Sequence, residues 1–133
     1  MRDKVVLLYP RYEGPPLGPP LSLLSLASPL LEAGFRVRIL DGAINAIEET
    51  LEEEIADALC VGISFLTGSM IRGAIALSRL TRLMRADLPI IFGGWHSSLL
   101  PEQTLRSGLA DVVVRGQGER TLVELASRLR EGQ

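Results

Sequence analysis

The stretch IIFGGWHSS, residues 90–98, decides how the rest of the chain is interpreted. Pro89 ends the preceding segment, and three apolar residues then form a short run typical of a fully buried strand. Gly93 and Gly94 follow at once, before the only Trp and the only His of the chain. Two glycines at the carboxyl end of a strand leave room for a ligand to lie against the backbone. The stretch therefore predicts a buried strand that carries a functional loop, with a plain tight turn as the alternative.

The composition of the 133 residues is that of one globular domain with a well-filled core. Hydrophobic residues make up 47% and charged residues 23%, which excludes a disordered or fibrous chain. The net charge is −2 and the basic residues are scattered, which argues against nucleic acid as a partner. No apolar segment has the length of a signal peptide or a membrane span, so we expect a cytoplasmic protein.

The single cysteine, Cys60, stands inside an apolar run at residues 58–63. One cysteine cannot form an internal disulfide or a metal cluster. We expect Cys60 to be a small buried hydrophobic residue.

Strand patterns and helix patterns alternate along the chain. A loop at residues 10–20 holds five of the eight prolines and separates the first strand from the first helix, which Gly34 is placed to cap. The predicted strands are residues 5–9, 35–40, 59–64, 89–92 and 111–115. The predicted helices after the first are residues 44–58, 70–85 with Ser69 as its cap, a short helix at 101–105, and 119–130.

Because most of these strands are apolar throughout, they predict a parallel sheet covered by helices on both faces. With right-handed crossovers, the predicted fold is α/β: a flavodoxin-like, Rossmann-type three-layer αβα sandwich with a five-stranded parallel sheet of order 2-1-3-4-5. Ligands of such folds bind at the carboxyl ends of the strands. The proline-rich loop and the paired glycines fall there.

Several common ligands are excluded by the loops at this edge. No glycine fingerprint for a dinucleotide follows the first strand, and no P-loop sequence occurs. The first and third strands end in Tyr9 and Ser64 rather than in the acidic cluster of a phosphoacceptor domain.

Four short motifs, taken in order, resemble those of the cobalamin-binding domain. Gly-Pro-Pro stands at 14–16, Ser-x-Leu at 64–66, Gly-Gly at 93–94 and Gly-x-Gly-Glu at 116–119. Further motifs point to a narrower family: Gly-Gly-x-His at 93–96, Pro-Glu at 101–102, Asp-Val-Val-x-x-Gly at 111–116, and Leu122. Together these look like the amino-terminal domain of cobalamin-dependent radical S-adenosylmethionine enzymes, over residues 5–129.

The resemblance implies cobalamin as the cofactor, with its dimethylbenzimidazole tail inserted beside strands three and four and its corrin ring on the loops. The cofactor-binding residues that it implies are Tyr9, Pro10, Gly14, Pro15, Pro16, Ser64, Phe65, Leu66, Thr67, Gly93, Gly94, Trp95, His96, Ser97, Gly116, Gln117, Gly118 and Glu119. Small residues suit a flat buried ligand, and backbone amides at the start of the last helix suit amide oxygens or phosphate.

The resemblance also implies a partner. The radical enzymes carry a catalytic domain with a [4Fe-4S] cluster and S-adenosylmethionine, and methylate or cyclise their substrates. This chain lacks the cysteine motif that holds such a cluster, since Cys60 is alone. We therefore expect residues 1–133 to be the cobalamin-binding domain of a longer radical enzyme, without activity of its own.

The first loop departs from the pattern of cobalamin domains that ligate cobalt from below. It reads Tyr-Pro-Arg-Tyr-Glu-Gly at residues 9–14, without histidine. We therefore expect base-off cobalamin without a protein ligand from that loop. His96 is left as a contact to the ligand tail, as an axial ligand or as a structural loop residue.

Two other functions stay open. The domain could have kept the fold and lost the corrin, which would leave a cobalamin-free interaction or scaffold domain with its slot filled by Phe65, Leu66 or Trp95. A small enzyme that uses His96 with Asp41 or Glu13 as an acid–base pair is the other alternative.

Overall fold

Five strands and four helices make up the part of the chain that the computed structural model describes, namely residues 2–10, 21–42, 47–64, 68–93, 108–114 and 118–132. The strands are β1 Lys4–Tyr9, β2 Arg36–Asp41, β3 Ala58–Ser64, β4 Ile90–Gly93 and β5 Val112–Val113. The helices are α1 Leu21–Glu32, α2 Ile47–Ile55, α3 Gly68–Met84 and α4 Glu119–Arg130.

All five strands are parallel and lie in the order β2-β1-β3-β4-β5. This confirms the predicted flavodoxin-like order. Helix α1 packs against α4, and α2 packs against α3. Right-handed crossovers place the two pairs on opposite faces of the sheet, so that the carboxyl ends of all five strands meet at one edge.

The core lies along the two central strands. In β1 the four residues from Val5 to Leu8 are fully buried, as a run of apolar residues covered on both faces requires. On α2 the buried residues are Ile47, Leu51 and Ile55, one per helical turn. Cys60 is also fully buried, which confirms its assignment as a core residue.

Helix α1 ends in a Schellman motif around Gly34. This glycine has φ of +92°, a conformation that side chains disfavour. The Phe35 N–H donates to the Leu30 carbonyl at 3.0 Å and the Gly34 N–H donates to the Leu31 carbonyl at 3.1 Å. The predicted cap is therefore confirmed, while β2 begins at Arg36 rather than Phe35 because the Phe35 amide belongs to the cap.

Two predicted helix boundaries also need correction. Helix α2 ends at Ile55, and Ala58, which was predicted to end it, lies in β3 opposite Lys4. The Lys4 ammonium donates to the Glu54 carbonyl at 2.7 Å and so satisfies an orphan carbonyl at the helix end. Helix α3 begins at Gly68, so the backbone of Ser69 lies within the helix rather than before it.

Strand β5 is shorter than predicted. The Asp111 backbone N–H donates to the Ile90 carbonyl, and its carboxylate accepts from the Ile90 N–H at 2.8 Å and pairs with Arg82 at 2.8 Å. A side chain thus takes one ladder position, and the strand begins at Val112. The predicted last strand residue, Arg115, lies outside the described residues.

Ion pairs gather at the amino edge of the sheet. Lys4 pairs with Asp57, Arg36 with Asp3, and Arg38 with Glu54. These pairs are partly or largely exposed and stabilise the fold only modestly. None of the described helices is long and apolar enough to cross a membrane.

Candidate functional site

A cavity of about 290 Å³ opens between α1, α4 and the carboxyl edge of the sheet. We call it the slot. Its lining comes from β1, β3 and β4 below and from the two helices on either side. The lining residues are Leu7, Leu23, Ser25, Leu26, Gly62, Ile63, Ser64, Ile91, Gly93, Val114, Gly118, Glu119 and Leu122.

The floor of the slot is a trough of small residues in the middle of the sheet. Gly62 lies between Leu7 of β1 and Ile91 of β4 in the strand register, and Ser64 lies beside Gly93. Because side chains alternate between the faces of a strand, all five positions face α1 and α4. The central strand thus contributes a glycine and a serine where its neighbours contribute leucine and isoleucine, and this difference leaves the depression.

The two floor glycines are small for different reasons. A Cβ atom at Gly62 would lie 2.9 Å from Cδ2 of Leu7, so glycine there lets a core leucine pack against the backbone. A Cβ atom at Gly93 would meet no atom of the described residues within 4 Å. The space above Gly93 is therefore open toward the slot.

Ser64 is the polar group of the floor. Its relative exposure is 5%, and its hydroxyl has no hydrogen-bond partner among the described residues. Buried polar groups are nearly always paired, because leaving one unsatisfied costs about 1–3 kcal/mol. The hydroxyl is therefore available to a polar atom that enters the slot.

The amino end of α4 forms one wall. Gly118 is its N-cap and makes no side-chain cap, so the first N–H groups of the helix are open to an acceptor. A Cβ atom at Gly118 would lie 2.6 Å from Cγ1 of Val114, so glycine allows the helix to start close to the sheet. Glu119 is half-buried and is the one charged side chain among the described lining residues.

Four of the residues implied by the resemblance come together here: Ser64, Gly93, Gly118 and Glu119 line the slot. Tyr9 does not; it is 6% exposed in the core. Its pKa is raised above 10.0, first by burial and second by the nearby Asp41 carboxylate. Pro10 lies beside α3, where a Cβ atom at Gly73 would approach it to 2.9 Å.

The other implied residues lie outside the described part of the chain, so their roles stay predictions. They are Gly14, Pro15, Pro16, Phe65, Leu66, Thr67, Gly94, Trp95, His96, Ser97, Gly116 and Gln117.

The sequence interpretation missed several lining residues. Gly62 had a usable signal, because a glycine inside an otherwise apolar strand often marks the close approach of a ligand or backbone. Leu122 belongs to the sequence motif that carries the resemblance, although it was not among the implied cofactor-binding residues. Leu26 had no such signal, since a helix shows which side is apolar but not which leucine borders a cavity.

Other chemistry is sparse in the described ranges. No group of three or more His, Cys, Asp or Glu side chains is placed there to hold a metal ion. Burial raises the pKa of the Cys60 thiol to about 12, which keeps it protonated and unreactive. Asp41, considered for an acid–base pair, lies at the end of β2 and does not line the slot.

The family model of the B12 binding domain matches residues 10–126 of this chain. The chain therefore belongs to the B12-binding domain family, which confirms the resemblance found in the sequence.

Two relatives extend the comparison. An uncharacterized methyltransferase, PH0819, from Pyrococcus horikoshii is 34% identical over 87% of this chain and 26% of its own length. The anaerobic magnesium-protoporphyrin IX monomethyl ester cyclase from Synechocystis is 34% identical over 84% of this chain and 23% of its own. The chain thus spans about a quarter of the length of these relatives.

Solved structures of similar shape come from the radical S-adenosylmethionine methyltransferase TsrM of Kitasatospora setae. The structure of TsrM with cobalamin and a [4Fe-4S] cluster bound matches the whole chain with a TM-score of 0.88 and 25% identity. The structure with tryptophan and a S-adenosylmethionine analogue matches 98% with a TM-score of 0.86 and 25% identity. The chain covers 25% and 26% of those chains.

Proposed function

We propose that this chain binds cobalamin in its base-off form, with the dimethylbenzimidazole base held in the slot, as a module of a radical S-adenosylmethionine methyltransferase or cyclase. The proposal rests above all on the hydroxyl of Ser64, which is buried on the floor of an open slot and has no hydrogen-bond partner among the described residues. Membership of the B12-binding family and the four-residue overlap with the expected site support it.

The size of the slot agrees with a tail rather than with a whole cofactor. Small-molecule pockets start at roughly 300 Å³, and cobalamin is larger than most of their ligands. A cavity of about 290 Å³ holds one flat base with its sugar partly outside. The corrin ring then lies beyond the carboxyl edge of the sheet.

The polarity of the slot agrees with a base that has left the cobalt. Once detached, the ring nitrogen that would bind cobalt is a bare acceptor, and an acceptor buried without a donor is costly. The Ser64 hydroxyl supplies one donor at the floor. The rest of the floor is apolar or glycine, as a flat aromatic ring requires.

Charge separates the base from the phosphate of the tail. The described lining includes no lysine or arginine, and Glu119 would repel an anion inside the slot. The phosphate is better placed outside, where the open N–H groups at the start of α4 can bind it or the amide oxygens of the corrin.

When bound, cobalamin supplies a cobalt centre that carries a methyl group or tunes radical chemistry. The residues of this chain hold and orient the cofactor and keep water from the base. The reaction, its [4Fe-4S] cluster and S-adenosylmethionine belong to a separate catalytic domain, so residues 1–133 alone do not turn over. A cytoplasmic location is part of the same proposal.

The cobalamin-free scaffold is the alternative, and its mark is a slot filled by the protein's own side chains. Phe65, Leu66 and Trp95, the side chains expected to fill the slot in that case, lie outside the described residues. The acid–base enzyme has no described residue in its favour.

Retention of hydroxocobalamin after desalting, followed by visible absorption, tests the proposal. We expect retained corrin with a base-off spectrum. If the His96→Ala variant gives the same spectrum as the native protein, His96 does not ligate the cobalt. If its spectrum is shifted, His96 is the axial ligand. A protein that retains no corrin at saturating concentration contradicts the proposal and favours the scaffold.

A further inference from the structure

The deep end of the slot differs in polarity from its mouth. Strands rise about 3.3 Å per residue, so Gly62 lies roughly 7 Å below Ser64 along β3. At this depth Gly62 is flanked by Leu7 and Ile91 in register. Leu122 lies one helical turn below Glu119 at the start of α4.

Backbone groups do not make up for the missing polar side chains at this depth. Strand β3 is central and pairs with β1 on one side and β4 on the other. The N–H and C=O groups of Gly62 are therefore used in the hydrogen bonds of the sheet. The polar side chains of the described lining are Ser25, Ser64 and Glu119, none of which belongs to the deep level around Gly62.

We propose that the slot selects corrinoids by their lower base, accepting a benzimidazole with apolar substituents and rejecting adenine. This rests on the proposed function, and it names the class of corrinoid that the same site takes. The proposal rests on the position of one hydroxyl, that of Ser64, which has no partner among the described residues. It lies above a floor and walls formed by Leu7, Gly62, Ile91 and Leu122.

The chemistry of the two bases decides the preference. A detached dimethylbenzimidazole presents one acceptor nitrogen, which Ser64 satisfies, and a methylated edge, which the leucines and isoleucine cover. Adenine presents the same need for a donor and adds further ring nitrogens and an amino group. These groups would be buried without partners, which weakens binding by roughly tenfold to a hundredfold.

Three corrinoids test the preference in equilibrium dialysis followed by corrin absorbance: hydroxocobalamin, its adenine-based counterpart with the same corrin and nucleotide loop, and cobinamide, which lacks the base. We expect hydroxocobalamin to bind at least about tenfold more tightly than either of the others. Equal affinity for the two based corrinoids would overturn the preference while leaving cobalamin binding intact. If none of the three binds, the proposed function itself fails.

A matched pair of variants on α1 makes the test specific to the slot. Leu26 lines the slot and is half-buried, whereas Leu24 is 46% exposed and does not line it. Leu26→Gln places an amide in the wall of the slot. We expect it to reduce the ratio of the affinities for hydroxocobalamin and its adenine-based counterpart to less than half the native value. Leu24→Gln is expected to leave the ratio unchanged. If this ratio of affinities is the same in both variants and in the native protein, the slot wall does not discriminate between the two bases, and the proposal is overturned.

Discussion

Replacement of Gly93 by alanine separates the binding role of the slot from its role in folding. A methyl group at Gly93 would meet no atom of the described residues within 4 Å, so it projects into the slot without a clash. Gly93 has no positive φ, so alanine can adopt its backbone conformation. We therefore expect the variant to fold as well as the native protein and to bind cobalamin less well.

The two effects have opposite signs. Replacing glycine with alanine in a compatible conformation stabilises a protein by about 0.4–1 kcal/mol, because the unfolded chain loses freedom. Forcing an extra methyl against a well-fitted group costs about 1–3 kcal/mol, which here falls on the ligand. That cost corresponds to an increase of roughly 5-fold to 150-fold in the Kd for hydroxocobalamin. Gly93→Val is expected to weaken binding further.

Urea unfolding and equilibrium dialysis measure the two quantities on the same preparation. The control is Val113→Ile, which adds one carbon at the same edge of the sheet. Because Val113 is in register with Phe92, it faces away from the slot. We expect native affinity from this control. Native affinity in Gly93→Ala and Gly93→Val as well would refute the placement of the base above Gly93.

Three further predictions follow from residues around the slot and in the core. Ser64→Ala is expected to weaken hydroxocobalamin binding by roughly 2- to 12-fold, because it removes one hydrogen bond, and to leave the stability of the protein unchanged. If the two proteins bind hydroxocobalamin equally in dialysis, that hydrogen bond is not formed. Gly62→Ala is expected to lower the free energy of unfolding, measured in urea, by about 1–3 kcal/mol, because the new Cβ would lie 2.9 Å from Cδ2 of Leu7. A variant as stable as the native protein would mean that Leu7 moves aside without cost. Burial raises the pKa of the Cys60 thiol from 9.0 to about 12, so the folded state keeps a proton that the unfolded chain loses between these values. The contribution of Cys60 to the free energy of unfolding is therefore constant below about pH 9 and falls by up to about 1.4 kcal/mol per pH unit above it. Urea unfolding at about pH 8 and about pH 10 should show this loss in the native protein and a smaller loss in Cys60→Val. Equal losses in the two proteins would mean that other groups cause it.

Local patterns determined most of the fold. The apolar run at residues 5–8 indicated a strand covered on both faces, and β1 lies near the centre of the sheet with all four residues buried. Gly34 was predicted to cap the first helix, and its positive φ together with the Schellman hydrogen bonds confirms this. In such cases the signal and its cause lie within a few residues of each other, so one sequence suffices.

The features that the sequence did not reveal depend on partners far along the chain. The start of β5 depends on the contact of Asp111 with Ile90 and Arg82. Gly62 becomes the floor of a slot only because the register places it between Leu7 and Ile91. Sequence motifs identified the mouth residues, whereas the depth of the slot required the packed sheet.

A cobalamin-bound crystal structure of this domain would locate the dimethylbenzimidazole base. We predict electron density for its ring between α1 and α4, above Gly62 and Gly93, with its free ring nitrogen within about 3.2 Å of the Ser64 hydroxyl oxygen. A structure in which the base stays on the cobalt and the slot is left without ligand density would contradict it.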